Sequence, residues 1–176
     1  MASGAVQISV LGGFKMCRIS KYELVCEKVA TYNADINKRL GAEFAEQNAL
    51  CGAFDVAELL LNVIRTDRNT TEHFYVFCLD TELKVIGFFD IARGNLNACP
   101  VHPREVFQPV VATAKCSAVI VAHNHPSGDP TPSSEDIEVT KRLVEAGNLL
   151  GIKVIDHLVV GDGLWASIRS MGTVKF

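Results

Sequence analysis

The sequence predicts an α/β fold, a single-domain mixed-sheet sandwich with flanking helices, and three observations carry that expectation. A chain of 176 residues, 48% hydrophobic and 21% charged with 6 prolines, has the size and apolar content of one folded domain rather than of a disordered or fibrous chain. Helix-period segments and strand-like segments alternate along it without internal repeats or a low-complexity linker. The run Ser117 to Ala122 is continuously apolar and bounded by polar residues, which suits a central strand buried on both faces.

The elements follow in chain order. Val6 to Val10 alternates like a strand, Gly12 and Gly13 break it, and Tyr22 to Val29 offers a second strand-like run. From Val56, apolar residues at 56, 59, 60, 63 and 64 recur at helical spacing, with Asp55 as the expected N-cap and an end near Thr66. Asp67 to Thr71 is turn-like. Phe74 to Leu79 and Val85 to Phe89 read as a hairpin joined through Asp80 to Lys84. Gly94 to Pro100 reads as loop. Pro103 suits the first position of a helix that carries Val106, Phe107, Val110, Val111 and Ala114 at helical spacing, although Pro109 threatens to kink or shorten it. Turn formers fill Pro126 to Pro132, a helix starts at Ser133 or Ser134 and runs to Gly147, and Ile152 to Val160 is a buried strand. Gly161-Asp162-Gly163 then turns the chain into a last strand, Leu164 to Ile168.

Composition excludes some functions. With 17 Lys and Arg against 20 Asp and Glu, the formal charge of -3 gives no global positive field for phosphate backbones. No apolar stretch approaches the roughly 20 residues of a membrane helix, and the N-terminus lacks the pattern of a signal peptide, so a soluble cytoplasmic protein without membrane contact is expected. The six cysteines (17, 26, 51, 78, 99 and 116) form no C-x-x-C pair and are expected as buried or free thiols.

The chemistry concentrates in Ala122-His123-Asn124-His125-Pro126. Two imidazoles two positions apart at the end of a strand point the same way, which is metal-ligand geometry. Asp136 follows eleven positions after His125, past a proline-rich turn that lets the next helix fold back toward the strand end. Two neutral imidazoles and a carboxylate leave a fourth tetrahedral position for water, as at a catalytic zinc. Zinc lowers the pKa of a bound water from about 15.7 to roughly 7, and a base must then take the proton. Glu72, Glu105, Glu135 and Asp129 are all carboxylates that spacing leaves open. Glu72 has a structural argument, because it begins a strand at the sheet margin where a neighbouring strand delivers the histidines.

Blander roles exist beside these. Ser133 with Asp136 fits a helix capping box, and Ser133 can cap a helix while facing a substrate. His73, His102 and His157 lack a partner at diagnostic spacing and are expected to be structural. In a regular strand one of Asp156 and His157 faces the core and the other the surface, with support of a metal ligand open to His157.

The string from His123 to Asp136, His-Asn-His-Pro-Ser-Gly-Asp-Pro-Thr-Pro-Ser-Ser-Glu-Asp, resembles the signature of the RadC family, within the JAMM (MPN-plus, JAB domain) metalloprotease superfamily. His102 to Phe107 and Gly151 to His157 are also similar to that family, and the resemblance spans about residues 20 to 172. It implies an MPN/JAB-like, cytidine-deaminase-like domain over 21–172, after an N-terminal extension or edge strand at 1–20. Carried over position by position, it implies zinc on His123, His125 and Asp136, Glu72 as the base, and Ser133 as stabiliser of the oxyanion. The implied activity is hydrolysis of peptide or isopeptide bonds in a protein or peptide substrate. Family members often carry an N-terminal helix-hairpin-helix region with DNA-binding potential, for which this chain is expected to lack room.

Two other readings compete. One is a non-catalytic, zinc-containing binding module in DNA repair or recombination, with Lys38, Arg39, Arg65 and Arg68 as possible DNA contacts, although such scattered charges are more often a solvated surface. The other is a nuclease, which should carry more carboxylates and a basic groove. The sequence leaves oligomeric state and substrate open.

Overall fold

The structure is a computed structural model, which describes residues 52–94 and 101–176. The expected strands at Val6 to Val10 and Tyr22 to Val29, the proposed extension at 1–20, Lys38, Arg39 and Cys17, Cys26, Cys51 and Cys99 lie outside the described residues. Among the described residues, five strands form one mixed sheet: β1 (Glu72–Leu79), β2 (Val85–Gly94), β3 (Ala118–Asn124), β4 (Lys153–Val160) and β5 (Trp165–Ser167), in the order β2-β1-β3-β4-β5. Only β3 and β4 run parallel, joined through a helix as a parallel pair requires.

Alternation along the strands divides the core in two. Phe74, Val76 and Cys78 of β1 and Val119 and Val121 of β3 pack toward α2 (Pro103–Ala112) and α3 (Ser134–Leu150). Tyr75, Phe77 and Leu79 of β1 and Ala118, Ile120 and Ala122 of β3 face α1 (Ala53–Glu58) and the wider π-type turns at Leu59–Ile64 that extend it. Both faces are covered, so β3 is buried at every position and reads as a continuous apolar run. Cys78 and Cys116 are free thiols. Among the described residues no helix is long and apolar enough to cross a membrane.

Several boundaries differ from expectation. The first helix begins at Ala53, with Gly52 and not Asp55 at the N-cap; Asp55 lies in the first turn, where a carboxylate complements the helix dipole. This helix closes at Ile64, because Arg65 is left-handed at φ 60°. Pro109 sits within α2 without ending it there. The helix continues three residues to Ala112, short of the expected Ala114 and with Val111 exposed, and the Thr113 hydroxyl donates to the Pro109 carbonyl at 2.9 Å as the last turn unwinds. β2 extends to Gly94, beyond the expected Phe89. α3 runs past Gly147 to Leu150 and stops at left-handed Gly151. Gly147 is an interior close-approach residue, since a Cβ there would lie 2.5 Å from the Ile152 carbonyl.

Asp156 and His157 do not divide between core and surface. Both are buried. Opposite the single step from Val119 to Ile120, β4 advances two residues, from Val154 to Asp156. This bulge resets the alternation, so that Val154 and His157, three apart, both face α3. Asp156 meanwhile accepts hydrogen bonds from Ser167 Oγ at 2.7 Å and from the backbone N–H groups of His157 and Arg169.

Candidate metal centre

β3 carries His123 on its α3-facing side, and the chain leaves the strand so that His125 follows immediately at its end. The His125 N–H still donates to the Val160 carbonyl at 2.8 Å, which holds this residue against β4. The proline-rich segment then returns to α3, and its path is fixed at Gly128, whose carbonyl accepts from the Asp162 N–H at 2.9 Å. Gly161 makes that approach possible, because a Cβ there would land on the Gly128 carbonyl and on Pro130. Asp136 thereby arrives over the strand end.

The ligand atoms converge. His123 Nε2 lies 3.1 Å from Asp136 Oδ1, His125 Nε2 lies 3.5 Å from Asp136 Oδ2, and the two Nε2 atoms are 3.0 Å apart. The three donor atoms fall within 4.8 Å of one another, so this group can hold a metal ion. His125 Nδ1 donates to the Asp129 carbonyl at 2.8 Å, which leaves its Nε2 lone pair directed into the site. Two imidazole nitrogens and one carboxylate oxygen are a donor set that suits a divalent transition metal such as zinc. His123 is almost wholly buried, with its ring stacked 6.1 Å from Phe74, whereas the side chains of His125 and Asp136 retain about one-sixth of their exposure.

Electrostatics favour an ionised acid here. Burial would raise the Asp136 carboxyl, but its contacts with the His123 and His125 rings and with the Ser133 hydroxyl outweigh it and hold the group well below the ordinary carboxylate range. The Asp136 contact raises His125, against burial and with help from the Asp129 carbonyl. Burial pushes His157 well below the usual imidazole value.

The other expected residues line the same cleft. A cavity of about 220 Å³ is bounded by Glu72, His123, His125, Pro126, Ser127, Ser133 and Asp136. Ser133 caps α3 in a complete capping box: its Oγ accepts from the Asp136 N–H at 3.2 Å, and Asp136 Oδ2 accepts from the Ser133 N–H at 2.7 Å and from its hydroxyl at 2.6 Å. The capping role and a place beside the metal ligands are thus one geometry. Of the four candidate bases only Glu72 borders this cavity, while Glu105, Glu135 and Asp129 are exposed. Arg65 pairs with Asp67 at 3.6 Å, and neither it nor Arg68 lines the cleft.

Sequence reasoning missed Asn124 and Thr140, and His157, for which support of a metal ligand was open, joins them at the site. Asn124 lies between the two histidines and is buried; its Oδ1 accepts from the His73 N–H at 2.9 Å and its Nδ2 donates to the Thr71 carbonyl at 3.0 Å. These backbone groups flank Glu72, so one amide ties the start of β1 to the histidine strand where the backbone pairing has ended at Phe74 and His123. His157 and Thr140 stand behind His123: His157 Nε2 is 2.9 Å from His123 Nδ1, and His157 Nδ1 is 2.6 Å from Thr140 Oγ1. Thr140 is one helical turn past Asp136, a spacing that could have flagged it. His73 and His102 are structural as expected, the first against Asp90 at 3.0 Å and the second capping α2 through Arg104 N–H.

Residues 52–173 match a family model described as a RadC-like JAB domain. The chain belongs to that family. Curated relatives include the UPF0758 protein TTE0897 of Caldanaerobacter subterraneus, 51% identical over 122 residues that cover 69% of this chain and 51% of the relative. A UPF0758 protein of Moorella thermoacetica is 46% identical over 136 residues, covering 77% of this chain and 58% of the relative. One from Methanosarcina barkeri, UPF0758 protein Mbar_A2303, is 44% identical over 126 residues, covering 72% and 54%. The RadC-like chain therefore spans a little over half the length of these relatives.

Proposed function

We propose that this RadC-like domain is a zinc-dependent hydrolase of peptide or isopeptide bonds in a protein or peptide substrate. The observation that carries the reading is the convergence of His123, His125 and Asp136 on one point of a cleft that Glu72 and Ser133 also border. Zinc bound there supplies Lewis acidity toward a carbonyl oxygen and toward water. Glu72 takes a proton from the attacking water as its oxygen bonds to the carbonyl carbon, and returns that proton to the leaving nitrogen as the C–N bond breaks. The Ser133 hydroxyl turns from Asp136 to the oxygen on which negative charge develops, acting as an oxyanion donor. Asn124 holds the backbone on both sides of Glu72, so the base keeps its distance from the metal ligands.

The test is a peptide-library cleavage screen on zinc-loaded protein, repeated with Glu72→Gln. Cleavage by the wild type and loss of at least 100-fold in Glu72→Gln with zinc retained supports the reading. Unchanged cleavage by Glu72→Gln excludes it as the base. Salt-dependent DNA binding without any cleavage favours the non-catalytic DNA module instead.

A further inference from the structure

We infer that His157 and Thr140 are positioning residues that fix the proton of His123 on Nδ1 and close a ring of hydrogen bonds between two metal ligands. The inference rests on the reading of His123, His125 and Asp136 as a metal centre and extends it to residues that no ligand pattern includes.

The direction of the ring follows from one group that can only accept. The Thr140 hydroxyl lies 2.6 Å from the backbone carbonyl of Asp136, and a carbonyl has no proton to give, so Thr140 donates there. A hydroxyl has a single hydrogen. At its second contact, 2.6 Å from His157 Nδ1, Thr140 Oγ1 must therefore accept, and His157 carries its proton on Nδ1. The neutral His157 ring then offers a lone pair on Nε2, which receives the Nδ1–H of His123 at 2.9 Å. His123 Nε2 is left as a lone pair aimed at Asp136 and His125, as a metal ligand requires.

The ring joins three elements. It leaves β3 at His123, crosses β4 at His157, enters α3 at Thr140 and returns to the backbone of Asp136, one turn earlier. The β4 bulge is what makes His157 face α3, and the ring of Phe74 packs edge-on against it at 5.3 Å. A purely structural polar pair would not need this order of protons, whereas a ligand imidazole does.

Imidazole nitrogen NMR and competitive zinc titration of the full chain test this. In the wild type, His123 and His157 should both be protonated on Nδ1 when zinc is bound. Thr140→Val should weaken zinc binding roughly 10- to 100-fold, and Thr140→Ser, which keeps the hydroxyl, should bind within a few-fold of wild type. A folded Thr140→Val with wild-type zinc affinity overturns the inference. So does a wild-type spectrum placing the His157 proton on Nε2, even if Thr140→Val fails to fold. A wild type that binds no zinc refutes the metal centre instead, and the spectrum of the zinc-free protein still decides the order of the ring.

Discussion

Asn124 occupies the position between the two histidines, and alternation turns its side chain away from theirs toward the start of β1. Its amide uses an acceptor and a donor on the two peptides around Glu72. Replacing it by Leu removes two part-buried hydrogen bonds, to the His73 N–H and the Thr71 carbonyl, which should cost about 1–3 kcal/mol in urea unfolding. Glu72 then loses its tether while the ligands keep theirs, so Asn124→Leu should bind zinc normally and cleave more slowly. Asp136 makes a second prediction at this scale, in zinc-free protein. Its depressed carboxyl contributes stability that is present above about pH 4 and lost as pH falls further; raised His125 contributes stability that is present below about pH 6.5 and lost as pH rises through its folded value. The thermal advantage of wild type over Asp136→Asn should therefore peak between those pH values and shrink on either side.

At the scale of elements, the loop from Pro126 to Pro132 has to carry the chain from the end of β3 to the first turn of α3, and it does so by docking on the turn after β4. Gly161→Ala places a methyl against the Gly128 carbonyl and Pro130, pushes this loop outward and takes the hold on His125 with it. Its zinc dissociation constant should rise by at least 10-fold with little change in the circular dichroism of the sheet. The hairpin, the doubly buried β3 and the helix after the proline-rich turn were legible because apolar periodicity and turn chemistry agree there. So were His123, His125 and Asp136, whose spacing encodes convergence. The β4 bulge was not, since one additional residue leaves no mark in a run of apolar side chains, and without it His157 could not be placed behind His123. Gly52, rather than Asp55, at the first helix's cap shows the same limit: a good capping residue three positions inside the helix still serves the dipole.

At the scale of the molecule, α1 covers one face of the sheet, α2 and α3 cover the other, and the centre lies where the end of β3 meets the first turn of α3. Sequestering His123 and His157 in that core leaves His125, Asp136 and the cleft open to a substrate on one side. Metal should couple to folding, because ligands from β3 and α3 are brought together only in the native state. The account as a whole stands on that shared ion. Elemental analysis of freshly purified and zinc-reconstituted protein, beside His125→Ala, is its most direct measurement. About one zinc per chain in the wild type and essentially none in the variant is the expected result; a wild type that cannot be loaded, or a variant that retains its zinc, contradicts the account.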